Sequence, residues 1–150
     1  TVVSGQGKSK ACFATLAERK TRFYIAMKMS DRRAETMENA IVAALSAFPP
    51  QLVKTITCDR GTEFANWRRI EERLHCEVYF ADPYCAWQKG TNENLNGLLR
   101  EFYPKGRNLS RVAPATLKRN LALLNARPRK VLYFHSAQEL WDFELNSCCT

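Results

Sequence analysis

The chain has 150 residues, of which 45% are hydrophobic and 11% aromatic, and its formal net charge is +8. This composition favours one folded domain and argues against an intrinsically disordered chain. No run approaches the roughly 20 apolar residues that span a bilayer, and residues 1–10 lack the apolar core of a signal peptide. We therefore expect a cytoplasmic protein that makes no contact with a membrane.

The predicted elements follow a clear order along the chain. The end of one strand at residues 1–3 comes first, and strands are then predicted at 11–16, 23–29, 53–58 and 77–81. Helices are predicted at 37–48, 63–75, 92–102, 114–125 and 137–145. Hairpin strands followed by alternating strands and helices predict an α/β fold with a mixed sheet covered by helices.

Basic residues are concentrated in the last third of the chain. Eight Lys and Arg side chains lie between Lys105 and Lys130, and no acidic residue occurs from Phe102 to Gln138. Such a tract favours binding to a polyanion, because contacts to phosphates release counterions. A solvated basic face without a partner is the alternative interpretation. We favour nucleic acid as the partner.

Two carboxylates stand where an α/β fold places ligands. Asp59 follows the strand 53–58, and ligands bind at the carboxyl ends of such strands. Glu93 lies in the first turn of a later helix, 34 positions after Asp59. It lies on a different face of that helix from the apolar stripe that is expected to face the core, which consists of Leu95, Leu98, Leu99 and Phe102. The two side chains could share a divalent cation through hard oxygen ligands. Taken singly, Asp59 is also typical of a turn and Glu93 of a residue that interacts with a helix dipole.

Several long motifs surround these carboxylates. Residues 59–64 read DRGTEF, residues 79–84 read YFADPY, and residues 87–94 read WQKGTNEN. Shorter motifs are TLAERKTR at 15–22, NGLLR at 96–100, PKG at 104–106 and LNARPRK at 124–130. Together they resemble the DDE transposases of bacterial insertion sequences, in particular the insertion-sequence-thirty family. The resemblance runs almost from end to end.

The resemblance implies an integrase catalytic core: a ribonuclease-H-like, mixed five-stranded sheet flanked by helices, here with its first strand largely missing. It also implies a triad of two Asp and one Glu that holds two Mg²⁺ ions, for which Mn²⁺ can substitute. Asp59 matches the second Asp and Glu93 the Glu, so both are expected to be catalytic residues and metal ligands. Two such ions, about 3.5–4 Å apart, activate a nucleophile and stabilise the leaving oxygen in phosphoryl transfer.

The first Asp of the triad is not present in these residues. Alignment of the turn at Gly5–Gly7 places it just before Thr1. The acidic residues that precede Asp59 belong to other elements and are poor substitutes: Glu18, Asp31, Glu35 and Glu38. We therefore expect residues 1–150 to form one N-terminally truncated catalytic core, without a separate DNA-reading domain. Without this Asp, residues 1–150 are expected to be unable to catalyse a reaction that needs two bound metal ions.

The loop before Glu93 and the basic residues near the site are candidates for DNA binding. Trp87 could stack on a displaced base or pack against its own helix, and Gln88 and Lys89 lie beside it. Basic side chains that could hold phosphates, or be solvated charges, are Arg100, Lys105, Arg107, Arg127, Arg129 and Lys130. By resemblance, the partners are the DNA ends of a mobile element, target DNA and further copies of the chain, at the bacterial nucleoid.

Three functions compete at this point. The leading hypothesis is a transposase catalytic domain that cleaves and joins DNA by metal-dependent phosphoryl transfer. A second is an inactive, truncated remnant that only binds nucleic acid through its basic surface. A third is a ribonuclease-H-like nuclease with a different substrate.

Overall fold

A computed structural model describes residues 1–5, 7–82 and 90–148. Its strands are β1 (Val2–Val3), β2 (Cys12–Ala17), β3 (Tyr24–Met29), β4 (Thr55–Cys58) and β5 (Glu77–Phe80). Its helices are α1 (Ala34–Leu45), α2 (Trp67–Leu74), α3 (Gly90–Phe102), α4 (Pro114–Ala126) and α5 (Ala137–Cys148). Among the described residues, no helix is both long enough and apolar enough to cross a membrane.

The order of strands and helices agrees with the sequence prediction, and the largest difference in the start of a helix is at α2. The helix predicted for residues 63–75 is preceded by a separate 3₁₀ turn at Thr62–Phe64, and α2 begins only at Trp67. Asn66 has φ −88° and ψ 22°, which lies outside the helical region and separates the two pieces. The 3₁₀ turn directs Glu63 into the protein.

The five strands form two hydrogen-bonded sheets within the described residues. Strands β1, β2 and β3 are antiparallel, with Val2 opposite Phe13, Cys12 opposite Met29 and Ala17 opposite Tyr24. Strands β4 and β5 are parallel, as expected for strands joined through a crossover helix. The predicted mixed α/β class is confirmed, with the antiparallel and parallel parts paired separately.

Helices cover both faces of the antiparallel sheet because successive strand side chains point to opposite faces. Phe13 points to one face, where it packs with Leu95 and Leu99 of α3 and Leu117 and Leu124 of α4. The neighbouring residues Cys12 and Ala14 point to the other face. There they pack with buried residues of the first two helices: Met37 and Ile41 of α1, and Ile70 and Leu74 of α2.

Two polar connections attach the C-terminal helices to the sheet. Asn125 of α4 accepts from the backbone N–H of Tyr24 at 3.0 Å and donates to the Tyr24 carbonyl at 2.9 Å. The Tyr24 hydroxyl donates to Asn96 of α3 at 2.7 Å. The two bonds to Asn125 satisfy the backbone N–H and carbonyl of Tyr24, which have no strand partner on that side.

Candidate active site

Asp59 lies immediately after β4, at the carboxyl end of the parallel pair, as predicted. Its side chain is exposed. One carboxylate oxygen accepts the backbone N–H of Gly61 at 3.3 Å, which is the expected contact of an Asp that opens a turn. Asp59 therefore combines a local turn contact with an oxygen-bearing side chain that solvent and ligands can reach.

Glu63 is the second acidic side chain at the carboxyl end of the parallel pair. It was not among the site residues predicted from the sequence. It is only 5% exposed. Its carboxylate accepts from Arg32 Nη2 at 2.7 Å and from Thr1 Oγ1 at 3.3 Å. Burial opposes ionisation of Glu63, but the hydrogen bond and charge of Arg32 outweigh it, so the pKa of Glu63 lies below its ordinary value. The charged carboxylate thus links the start of β1 to the turn before α1.

Gly61 separates the two carboxylates, and a side chain at this position would meet both of them. A Cβ atom at this position would lie 2.5 Å from Glu63 Oε2 and 3.1 Å from Asp59 Oδ1. Any larger residue would displace one of these carboxylates, because contacts under 3.0 Å do not occur for real Cβ atoms. An acid four residues after Asp59, with glycine between them, is the sequence signal that could have identified Glu63.

Glu93 lies in the first turn of α3 and is exposed. Its neighbours anchor that turn to the sheet. Asn92 donates to the Thr15 carbonyl at 3.3 Å and accepts from the Thr15 hydroxyl at 3.3 Å. Arg22, which follows the turn after β2, donates to the hydroxyl of Thr91. The predicted division of α3 is confirmed, since Leu95 and Leu99 are buried whereas Glu93 faces outward.

An open cavity of about 390 Å³ lies beside Asp59. Its lining combines a positive charge with apolar rings: Arg60, Gly61, Phe64, Ala65, Trp67 and Phe80. The rings of Trp67 and Phe80 meet edge to face at 5.9 Å, and the guanidinium of Arg68 lies 5.1 Å from the centre of the Trp67 ring. The cavity thus presents flat apolar surface together with positive charge next to Asp59 and Glu63, which form the acidic edge of the site.

Two of the predicted DNA-binding arginines are half-buried and donate to backbone carbonyls. Arg100 donates to the carbonyls of Val3 at 3.1 Å and Tyr103 at 3.3 Å. Arg129 donates to the carbonyls of Leu124 at 2.9 Å and Arg22 at 3.4 Å. Burial lowers the pKa of Arg129, and the charges of Arg127 and Arg22 lower it further. Both side chains therefore have structural contacts beside any role in binding DNA.

The other predicted DNA-binding residues lie on the surface or outside the described part. Lys105 and Lys130 are exposed. Arg107 is also exposed and lies 5.5 Å from the centre of the Tyr103 ring, while Arg127 pairs with Glu101 at 3.3 Å. The predictions for Trp87, Gln88 and Lys89 fall on residues that lie outside the described residues. All of these DNA contacts stay predictions.

The chemistry of the two selected carboxylates suits Mg²⁺, a hard cation that prefers exposed oxygen ligands. Asp59 and Glu93 both offer such oxygens. Within residues 1–5, 7–82 and 90–148, no group of three or more His, Cys, Asp or Glu side chains is positioned to hold a metal ion. Asp59 and Glu93 are thus candidate ligands, and an ion bound to them would need further donor atoms besides these two carboxylates.

Solved structures with the same architecture define the class of protein. The catalytic core domain of BIV integrase superposes with a TM-score of 0.74 at 15% identity, covering 100% of this chain and 95% of that one. The HTLV-2 integrase catalytic core domain, solved in complex with magnesium in a trimeric form, gives a TM-score of 0.64 at 14% identity and covers 90% of this chain and 87% of that one. The fold is that of a retroviral integrase catalytic core and is ribonuclease-H-like.

Sequence relatives narrow the class to a family. The probable transposase of element IS1161 from Streptococcus salivarius is 36% identical over 142 residues, which cover 95% of this chain and 40% of that protein. Transposase InsI of element IS30C from Escherichia coli K12 is 36% identical over 134 residues, covering 89% of this chain and 35% of that protein. The integrase core domain family matches residues 1–86. The chain belongs to this family, as the sequence motifs predicted.

Proposed function

We propose that this chain is the catalytic core of a DNA transposase, which cleaves DNA at the ends of a mobile element and joins those ends to target DNA. The observation that carries the proposal is the acidic edge at the end of β4. There Asp59 is exposed, while Gly61 and the buried Glu63 define the turn that follows it. The chain spans between 35% and 42% of the length of the insertion-sequence transposases it matches, so the activity of a whole transposase is part of the proposal.

Each residue of the site has a role in this proposal. Asp59 and Glu93 are the ligands of two Mg²⁺ ions, for which Mn²⁺ can substitute. When bound, such ions lower the pKa of the attacking water or hydroxyl and stabilise the leaving oxygen. Glu63 and Arg32 are positioning residues, because their ion pair supports the turn that carries Asp59. The anchored first turn of α3 keeps Glu93 directed outward.

The substrate strand lies beside Asp59 in this proposal. The cavity that contains Arg60, Trp67 and Phe80 offers a cation for a phosphate and flat surface for a base. Lys105, Arg107 and Lys130 extend the positive surface and bind phosphates along the same DNA. Homo-oligomers bring two DNA ends together, in the bacterial cytoplasm at the nucleoid. Support for an assembly comes from the HTLV-2 integrase core, which was solved in a trimeric form.

Substitution of the two carboxylates tests the proposal. Activity is measured on the protein with an Asp-bearing strand added ahead of Thr1, because the family resemblance places the first Asp there. Asp59→Asn and Glu93→Gln should each lower Mg²⁺-dependent strand transfer on the order of 10³-fold, since a ligand of metal ions that act in the transition state is lost. Affinity for duplex DNA in EDTA should stay the same. The matched controls Asp142→Asn and Glu72→Gln change exposed acids on α5 and α2.

The outcomes separate the three competing functions. Strand transfer that survives Asp59→Asn or Glu93→Gln contradicts the assigned catalytic roles. DNA binding without any metal-dependent cleavage in the extended protein favours the inactive remnant. Cleavage of RNA–DNA hybrids without the joining of ends favours a nuclease. Calorimetric titration with Mn²⁺ gives a second readout, in which both carboxylate variants should bind more weakly than the parent.

A further inference from the structure

The turn between α4 and α5 presents two large aromatic side chains to solvent. Tyr133 is 90% exposed and Phe134 is 72% exposed, the highest values among the large hydrophobic residues of the described chain. Val131, in the same turn, is 64% exposed. Large exposed apolar side chains that follow one another in a folded domain are candidates for an interaction site.

The backbone of this turn is strained in a way that holds the two rings outward. Tyr133 has φ 52° and Phe134 has φ 67°, a left-handed conformation that glycine adopts freely and other residues adopt at a cost. Hydrogen bonds fix it: Tyr133 N–H donates to the Lys130 carbonyl at 3.1 Å and Phe134 N–H donates to the Arg129 carbonyl at 2.9 Å. Strain that persists with exposed side chains is a feature of functional sites.

The charge around the turn selects the chemistry of its partner. Lys130 is exposed within the turn, and Arg127 precedes it by three residues. The nearest acidic side chains along the chain are already engaged, because Glu101 pairs with Arg127 and Glu139 accepts the N–H of Ser136. Aromatic rings beside the exposed Lys130 match a single strand of nucleic acid, whose bases stack and whose phosphates need positive charge.

Two hydrogen bonds link the turn, through Arg22, to the helix of the candidate active site. Arg129 donates to the carbonyl of Arg22 at 3.4 Å. The side chain of Arg22 in turn contacts the hydroxyl of Thr91, two residues before Glu93. The turn and the first turn of α3 are therefore attached to the same residue of the β2–β3 connection.

We infer that Tyr133 and Phe134 form a stacking platform for unpaired DNA bases, with Lys130 binding an adjacent phosphate. This site lies outside the acidic edge and needs neither a metal ion nor catalysis. In the proposed transposase, this site holds a DNA strand that is unpaired near the point of cleavage. A failure of the catalytic proposal leaves this inference intact, because binding is measured without metal.

The test is the binding of fluorescein-labelled oligothymidine and of a blunt duplex by fluorescence anisotropy in EDTA. Tyr133→Gly and Phe134→Gly should each weaken binding to the single strand about tenfold, the size of one lost base–aromatic stack, and should barely affect the duplex. Tyr133→Trp should retain binding, since its ring also stacks. Phe143→Ala removes another exposed ring, 67% exposed on α5, and should have no effect.

Thermal unfolding distinguishes loss of binding from loss of folding. Glycine at position 133 relieves the left-handed strain, so Tyr133→Gly should raise the melting temperature by about 2–4 °C while it weakens binding. Lys130→Ala should lower the salt dependence of single-strand affinity by about one unit of slope, whereas Tyr133→Gly leaves that slope unchanged.

Three results would overturn the inference. The first is single-strand binding that is equal in the parent, Tyr133→Gly and Phe134→Gly proteins. The second is an equal loss of binding to single strand and duplex. The third is a change of oligomeric state in sedimentation velocity on Tyr133→Gly with no change in DNA affinity, because the exposed rings would then contact a second copy of the chain.

Discussion

Near Asp59, the acidic side chains Glu38 and Glu63 are buried and form ion pairs with arginines, whereas from α4 to the turn before α5 the basic residues mostly face solvent. In the first region, Glu38 is fully buried and pairs with Arg73 at 2.9 Å and Arg69 at 3.3 Å. In the second region, no acid occurs between Phe102 and Gln138. The exposed cations there include Lys118 and Lys130.

The difference indicates a division of work between the two regions. Ion pairs with buried carboxylates constrain the backbone around the acidic edge, because leaving a buried charge without its partner is costly. Exposed cations without acidic neighbours add little to folding but attract polyanions over a distance set by the salt concentration. We therefore expect arginine substitutions in the first region to affect stability and basic substitutions in the second to affect DNA binding.

The largest expected effect on stability is the loss of both arginines that face Glu38. Arg69→Ala combined with Arg73→Ala should lower the free energy of unfolding by about 3 kcal/mol, because the buried carboxylate then keeps only Asn66, at 2.9 Å, as a partner among the described residues. Urea unfolding measures this change. Addition of Glu38→Gln should recover much of the loss, since no buried charge remains. If the triple variant is no more stable than the double variant, the effect does not come from the charge of Glu38.

A smaller effect, dependent on pH, is expected for Arg32→Ala. Since the folded-state pKa of Glu63 is lowered, its ion pair contributes stability above the unfolded pKa of about 4.5 and loses it as the pH falls through the folded value. Removal of the half-exposed Arg32 should cost about 1 kcal/mol at pH 7 and much less at pH 3. Urea unfolding at both pH values gives the comparison. A cost that is equal at the two values would contradict an ionised Glu63.

The smallest effect on stability is expected in the basic region. Lys118→Ala combined with Arg119→Ala, both exposed on α4, should change the free energy of unfolding by less than about 0.5 kcal/mol. The same variant should weaken binding to duplex DNA at low salt and reduce its salt dependence, because two phosphate contacts are lost. Calorimetric unfolding and anisotropy titrations at several salt concentrations measure the two quantities. A stability loss above that limit would remove the contrast between the regions.

Much of the fold could be predicted from local patterns. The apolar stripe of α3 predicted which face is buried, and Leu95 and Leu99 are indeed inside. The position of Asp59 could also be predicted, because a strand followed by Asp-Arg-Gly has few alternatives to a turn. The motifs predicted the integrase core domain family before any geometry was known, and the comparisons confirm it.

The burial of Glu63 could not be predicted in the same way. In sequence it resembles an ordinary acid at the start of a helix, and periodicity places no partner near it. Arg32 stands 31 positions earlier and meets it only because α1 packs against both β3 and the 3₁₀ turn that carries Glu63. The exposure of Tyr133 was equally hidden, since an aromatic residue between two helices is ordinarily expected to pack inside.

The sequence by itself determined the order of the elements, the basic tract and the family. It also determined the positions of Asp59 after β4 and of Glu93 in the first turn of α3. These features depend on residue type and on spacing along the chain, which local rules can interpret. The tertiary structure decided which charges are paired and which face solvent. Arg129 is half-buried and donates to backbone carbonyls while its neighbour Lys130 is exposed, because only folding brings the carbonyls of Leu124 and Arg22 close to Arg129.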